Sequence, residues 1–101
     1  MRKIEVLVFE GCPNLESTLA RAHAAVATAK VAARVDVVRV ENEMDATRLR
    51  FLGSPTVRVD GVDVDPTATE RSDFGLQCRV YSLNGRLEMA PPLEWITAAL
   101  A

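Results

Sequence analysis

The chain contains two cysteines, and the first, Cys12, lies in the stretch Phe-Glu-Gly-Cys-Pro-Asn at residues 9–14. Gly11 interrupts the apolar run before it, and Pro13 is a residue type favoured at the first position of a helix. The pattern therefore predicts that Cys12 is the N-cap of a helix, where the dipole and the free N–H groups favour the thiolate. Since the thiolate is the nucleophilic form, we expect a reactive sulfur here; the alternative is a small buried apolar side chain.

The second cysteine, Cys78, leaves three interpretations open. It could be a resolving cysteine that attacks a sulfenic acid or a mixed disulfide at Cys12. It could instead complete a two-thiolate site for a soft metal such as mercury or copper(I). Its place beside Val80 and Met89, on the apolar side of a predicted hairpin, favours a core residue. With His23 as the one histidine, predicted to be a surface residue, the chain cannot form a four-ligand zinc site unaided, and we expect no cofactor.

Composition predicts a single globular domain over residues 1–101, because 49% of the residues are hydrophobic and 26% are charged. The net charge of −2 and the scattered basic residues argue against a nucleic-acid partner. The chain has no apolar stretch of about 18 residues and no recognisable export signal, so we expect no membrane association. Two cysteines do not make a secreted disulfide framework, so we expect a cytoplasmic protein with reduced thiols.

The first half of the chain predicts a β-α-β unit and a short helix. Lys3–Phe9 is apolar on both faces, which is typical of a buried central strand. A helix is expected from Pro13 to Lys30 and a second strand over Val35–Val40. A short helix is expected over Glu43–Leu52, ended by Gly53. Since a helix joins the two strands, we expect them to be parallel.

A hairpin with an Asp60-Gly61 turn is predicted next, because this dipeptide favours a two-residue loop. Such a loop sets the register, and four valines then share one face: Val57 pairs with Val64, Arg58 with Asp63 and Val59 with Val62. The polar stretch Asp65–Gln77 that follows is too long for a simple connection and is predicted to be a loop, either solvated or acting as a lid over the thiol.

A second hairpin is predicted around Asn84-Gly85, with strands over Cys78–Leu83 and Arg86–Met89. The pairing places Val80 beside Met89 and Ser82 beside Leu87, with Cys78 on the same side, while Tyr81 is predicted to be a surface or cross-strand residue. The chain ends in a helix over Leu93–Leu100 whose Leu93, Ile96, Ala99 and Leu100 face inward, with Trp95 packing that helix.

This order of elements is similar to the thioredoxin-like fold. The Cys12-Pro13 pair after the first strand and the segment Gly53–Val57, which resembles the loop that holds that superfamily's cis-proline, carry the resemblance. More closely, residues 9–14, 48–59 and 73–81 resemble a family of small bacterial thioredoxin-like proteins, some labelled alkylmercury-lyase-like and some described as selenoproteins. The resemblance implies an α/β, thioredoxin-like fold (β-α-β-α-β-β-α) with an extra loop and hairpin before the C-terminal helix.

The resemblance also implies a site. Cis-Pro55 would press against Cys12 and leave the backbone of Ser54 to bind an extended peptide or thiol substrate. The expected catalytic residues are Cys12, Cys78 and Pro55, and the expected substrate-binding residues are Pro13, Ser54, Thr56 and Asp73, of which Asp73 could donate a proton. Thioredoxin and glutaredoxin carry a Cys-x-x-Cys motif, whereas Leu15 occupies the fourth position here.

Three functions follow as hypotheses. The first is a thiol oxidoreductase of the thiol-disulfide or peroxide type, acting through Cys12 on a protein or small-molecule thiol or disulfide, with Cys78 as the resolving partner. The second is a soft-metal or organomercurial binding or lyase-like protein that uses both thiolates. The third is a thioredoxin-like scaffold without chemistry, used for protein interaction.

Overall fold

Strand β1, Arg2–Val8, lies inside a four-stranded sheet in the computed structural model, which describes all 101 residues. It pairs in parallel with β2, Ala33–Arg39, and antiparallel with β3, Thr56–Val59. The short β4, Val62–Asp63, completes a mixed sheet in the order β2-β1-β3-β4. A separate two-stranded sheet consists of β5, Tyr81–Leu83, and the strand β6 that follows it. The predicted parallel pairing and the predicted central position of the first strand are confirmed.

Three α-helices cover the large sheet: α1, Leu15–Ala29, α2, Glu43–Arg48, and α3, Leu93–Leu100. Helices α1 and α3 pack against each other and against one face, where the main apolar core contains Ile4, Val6, Val8, Ala22, Ala25, Val57, Val59, Val64, Ile96 and Leu100. A smaller cluster on the α2 side contains Leu7, Val40, Ala46 and Phe51. No helix is both long enough and apolar enough to span a membrane.

The predicted start of α1 is wrong, because Asn14 and not Cys12 is its N-cap residue. The first intrahelical bond runs from the Thr18 N–H to the Asn14 carbonyl, which also accepts bonds from the Ser17 and Thr18 hydroxyls. The N–H of Cys12 is instead used in a turn, where it donates to the Phe9 carbonyl at 3.3 Å. Cys12 therefore belongs to this turn and lies two residues before the N-cap of the helix.

Helix α2 ends at Arg48, four residues before the predicted end at Leu52. A Schellman motif stops it: the Phe51 N–H donates to the Ala46 carbonyl and the Arg50 N–H to the Thr47 carbonyl. Arg50 takes the left-handed conformation that we expected glycine to supply, with φ of 55°. Burial of Phe51 against Ala46 accompanies this early stop.

The first hairpin has the predicted register, with Arg58 opposite Asp63 and Val59 opposite Val62. Val64 continues it by donating its N–H to the Val57 carbonyl at 3.0 Å. Val62, however, is 67% exposed, because it lies on an edge strand beyond the reach of the core. The shared apolar face therefore buries three of the four valines.

The second hairpin forms between β5 and β6, Arg86–Glu88, with Ser82 opposite Leu87 as predicted. The side predicted to face the core is the exposed one, and it carries Cys78, Val80, Leu87 and Met89. Residues at alternate positions of an extended chain point to opposite sides, and here Arg79 and Tyr81 are the buried ones. The interpretation of Cys78 as a core residue is wrong. Tyr81 is a cross-strand residue, opposite Glu88, but it is buried and does not lie at the surface.

A buried ionic cluster around Arg79 explains why Arg79 and Tyr81 face the interior while Cys78 faces solvent. Its guanidinium donates to Asp63 at 2.8 Å, to Asp65 at 3.2 Å and to the Thr56 hydroxyl at 2.9 Å. The same group lies over the Tyr81 ring at 4.6 Å from its centroid, and the Tyr81 hydroxyl donates to a backbone carbonyl at 2.6 Å. Burial raises the pKa of the Tyr81 hydroxyl, so it remains a neutral donor.

Replacing Arg79 by Met should lower the free energy of unfolding by about 3 kcal/mol or more, because Asp63 and Asp65 would lose the cation between them. The matched control is Arg86→Met, which removes an exposed arginine and should lower it by less than about 1 kcal/mol. Urea denaturation of both variants measures the difference. Equal losses would contradict a stabilising role for the buried cluster.

The same cluster predicts acid sensitivity. Although burial raises the pKa of Asp65, hydrogen bonds from the Thr67 N–H and hydroxyl and the charge of Arg79 hold it below the ordinary value of 3.8. A carboxyl with a lowered folded-state pKa stabilises the protein fully above the unfolded-state value and loses this contribution as the pH falls below it. Unfolding free energies measured between about pH 6 and pH 2 should therefore decline at the acid end, and less steeply for Asp65→Asn. Identical slopes would refute this assignment.

Candidate functional site

Cys12 lies in the turn between β1 and α1, where its half-buried side chain packs against the main apolar core. Pro13 follows it in the same turn and is exposed. Cys12 lies two residues before the N-cap Asn14 and just beyond the carboxyl end of the central strand.

The loop Gly53–Thr56 lies next to this turn. The Ser54-Pro55 peptide bond is cis, the geometry that the resemblance implies. The Ser54 hydroxyl accepts the N–H of Phe9 at 3.3 Å, and the Thr56 hydroxyl donates to the Gly53 carbonyl at 2.6 Å. Ser54 and Thr56 are fully buried, so their hydroxyls bind groups within the protein.

Cys78 pairs with Ser54 in an isolated parallel β-bridge. The Ser54 N–H donates to the Gln77 carbonyl at 2.8 Å, and the Arg79 N–H donates to the Ser54 carbonyl at 3.0 Å. The backbone of Ser54 is therefore not open to an incoming peptide, in contrast to what the resemblance implies. The chain's own segment occupies that position and holds an exposed thiol there.

Ser54 thereby connects the two cysteine-bearing segments. Its backbone binds the residues on either side of Cys78, and its hydroxyl binds Phe9, whose carbonyl in turn accepts the N–H of Cys12. No disulfide joins the two cysteines. The sequence alone could not place Cys78 here, because the bridge depends on contacts between residues far apart in the chain.

The residues just before Cys78, at the end of the predicted loop Asp65–Gln77, are hydrogen-bonded to helix α2 and to the residues that precede Gly53. The Gly75 N–H donates to the Phe51 carbonyl at 3.0 Å, and the Gln77 side-chain amide donates to the Leu52 carbonyl at 3.1 Å. The Leu76 N–H donates to the Glu43 carboxylate at 3.0 Å. Gln77 was not among the predicted site residues, and no local pattern distinguishes it.

Asp73 forms a two-bond ion pair with Arg71, at 3.0 and 2.7 Å. These hydrogen bonds from Arg71 lower the pKa of Asp73, so its carboxyl is ionised near neutral pH and holds no proton to donate. The Asp73 backbone carbonyl accepts a hydrogen bond from the Gln77 side-chain amide. In this arrangement Asp73 orders the loop.

The structure contains no group of three or more histidine, cysteine, aspartate or glutamate side chains that could hold a metal ion. Comparisons of the chain with protein-family models, with curated proteins and with solved structures each found no match. The chemistry of the site must therefore be inferred from the two thiols and the residues around them.

Gly53 allows the Cys78 segment to approach the loop. A Cβ atom at Gly53, which has φ of 129°, would lie 2.9 Å from the Arg79 Cβ and 3.0 Å from the Gln77 carbonyl oxygen. Gly61 also has positive φ, 83°, but a Cβ atom there would meet nothing within 4 Å. Alanine at either position would strain the backbone, but only alanine at Gly53 would also collide with neighbouring atoms.

Gly53→Ala should lower the free energy of unfolding by about 1–3 kcal/mol more than Gly61→Ala, because only the former forces the bridge apart. Hydrogen exchange at the Ser54 and Arg79 amides should also become faster in Gly53→Ala alone. Equal stability losses with unchanged exchange at these two amides would show that the bridge does not depend on the glycine.

Proposed function

We propose that the protein is a thioredoxin-like thiol oxidoreductase in which Cys12 is the nucleophile and Cys78 the resolving thiol. The observation that carries this proposal is the Ser54–Cys78 bridge, because Ser54 also contacts the segment that leads to Cys12. The strand order β2-β1-β3-β4, with a helix between the two parallel strands and a helix after the hairpin, supports the thioredoxin-like class.

Cys12 and Cys78 differ in exposure, which suits their proposed roles as the attacking thiol and the resolving thiol. The half-buried Cys12 side chain packs against the core, whereas the exposed Cys78 thiol is accessible for attack on a mixed disulfide. Leu15 in place of a second motif cysteine leaves Cys78 as the one other thiol in the chain. The cytoplasm, where thiols are kept reduced, is the compartment that suits this chemistry.

The reaction balances with two thiols and one disulfide. The Cys12 thiolate attacks a substrate disulfide RS–SR′, forms a Cys12–SR mixed disulfide and releases R′S⁻. The Cys78 thiolate then attacks the Cys12 sulfur, releases RS⁻ and leaves a Cys12–Cys78 disulfide, so the substrate gains two electrons. Two equivalents of an external thiol restore the dithiol form.

A peroxide can replace the disulfide. Attack of the Cys12 thiolate on the O–O bond gives a sulfenic acid and hydroxide, or an alkoxide from an organic peroxide. Condensation of the sulfenic acid with the Cys78 thiol releases water and forms the same intramolecular disulfide. Both substrate classes therefore lead to one oxidised product.

Treatment of the reduced protein with one equivalent of hydroxyethyl disulfide should remove two hydrogens from its mass and link the Cys12 and Cys78 peptides. Cys78→Ser should stop at a mixed disulfide on Cys12, and Cys12→Ser should react far more slowly. Mass spectrometry after digestion distinguishes these products. Ser82→Ala, a change on the same exposed side of the second hairpin, is the matched control and should behave as the unchanged protein.

A persistent mixed disulfide in the unchanged protein would remove Cys78 from the mechanism. Tight binding of one mercuric ion that is lost in Cys78→Ser, without any thiol-disulfide exchange, would favour the soft-metal alternative. A Cys12→Ser variant that retains every measurable activity would favour the scaffold alternative.

A further inference from the structure

A groove of about 360 Å³ lies beside the turn that carries Cys12. Three apolar and three charged residues line it: Phe9, Val40, Leu76, Glu10, Arg39 and Glu41. Phe9 and Glu10 follow β1, and Val40 and Glu41 follow β2, so the groove lies at the carboxyl ends of the two parallel strands. This edge is where open α/β sheets generally bind ligands.

Two residues that line the groove are close in sequence to the two cysteines. Glu10 is two residues before Cys12 in the same turn, and Leu76 is two residues before Cys78. The Leu76 backbone is fixed by its hydrogen bond to Glu43. A molecule in the groove would therefore lie alongside both segments that meet at Ser54.

The charge of the groove is negative. Glu10 and Glu41 contribute two carboxylates, and Arg39 is the one cation. Arg39 is 3.9 Å from Glu10 and makes no contact with Glu41, which has no hydrogen-bond or ion-pair partner. The unpaired carboxylate favours a cationic group in the groove and disfavours an anionic one.

We propose that this groove is the substrate subsite of the site described above, and that it selects disulfides with a positively charged substituent over anionic ones. The inference rests on the proposed function, since the selected group must carry the sulfur that Cys12 attacks. Phe9 and Leu76 would contact the carbon chain of the substrate, and Glu41 would pair with its cation. Electrons and atoms move as in the disulfide reaction, with no additional reactant.

Three small disulfides that differ in charge test the proposal: cystamine is cationic, dithiodipropionate is anionic, and hydroxyethyl disulfide is neutral. The rate at which each oxidises the reduced protein is measured by mass spectrometry at low salt. Glu41→Gln should lower the cystamine-to-dithiodipropionate rate ratio about two- to five-fold, the effect expected of one exposed charge. Comparing ratios between variants cancels the intrinsic reactivity of each disulfide.

The matched control is Glu70→Gln, which removes an exposed carboxylate that does not line the groove and should leave the ratio unchanged. Raising the salt concentration to about 1 M should move the ratio of the unchanged protein toward that of Glu41→Gln, because salt screens Glu41 together with the other exposed charges. Equal ratios in all three proteins at low salt would overturn the groove assignment alone. Failure of Cys12 to react with any disulfide, the neutral one included, would overturn the proposed function and this inference together.

Discussion

The guanidinium of Arg79 lies between Asp63 and Asp65, with one face against the ring of Tyr81. A buried arginine is tolerated only when its charge is paired, so the end of the first hairpin and the start of the second must stay together. Because side chains alternate along an extended chain, burying Arg79 turns the neighbouring Cys78 outward. One ionic contact thus fixes both the position of the second thiol and its exposure.

Features that depend on local signals could be predicted from the sequence. The Asp60-Gly61 turn fixed the register of the first hairpin, and the two apolar faces of β1 identified it as a central strand. Helix α3 has the predicted bounds, since a proline pair precedes it, and its Ile96 and Leu100 are buried as predicted, whereas Leu93 is exposed. In each case the residues that determine the feature lie close together in the sequence.

The features that could not be predicted depend on distant partners. Hydrophobicity alone assigns Val80 to the core and Arg79 to solvent, and the opposite holds because the arginine has two carboxylates to bind. The start of α1 differs for a local reason: Asn14, a preferred N-cap residue type, begins the helix, and the Cys12 N–H is used in a turn with Phe9. The position of Cys78 beside Ser54 could not be predicted either, since it depends on the Arg79 cluster and on backbone bonds between residues far apart in the chain.

The bridge between Ser54 and the Cys78 segment has a consequence for the molecules that the protein can bind. A segment tethered to its own site competes with free molecules at an effective concentration on the order of millimolar. An extended peptide that pairs with Ser54 must outcompete this tethered strand, whereas a compact disulfide that enters the groove leaves the strand in place. Under the proposed function, the bridge would therefore favour compact disulfides over extended peptides.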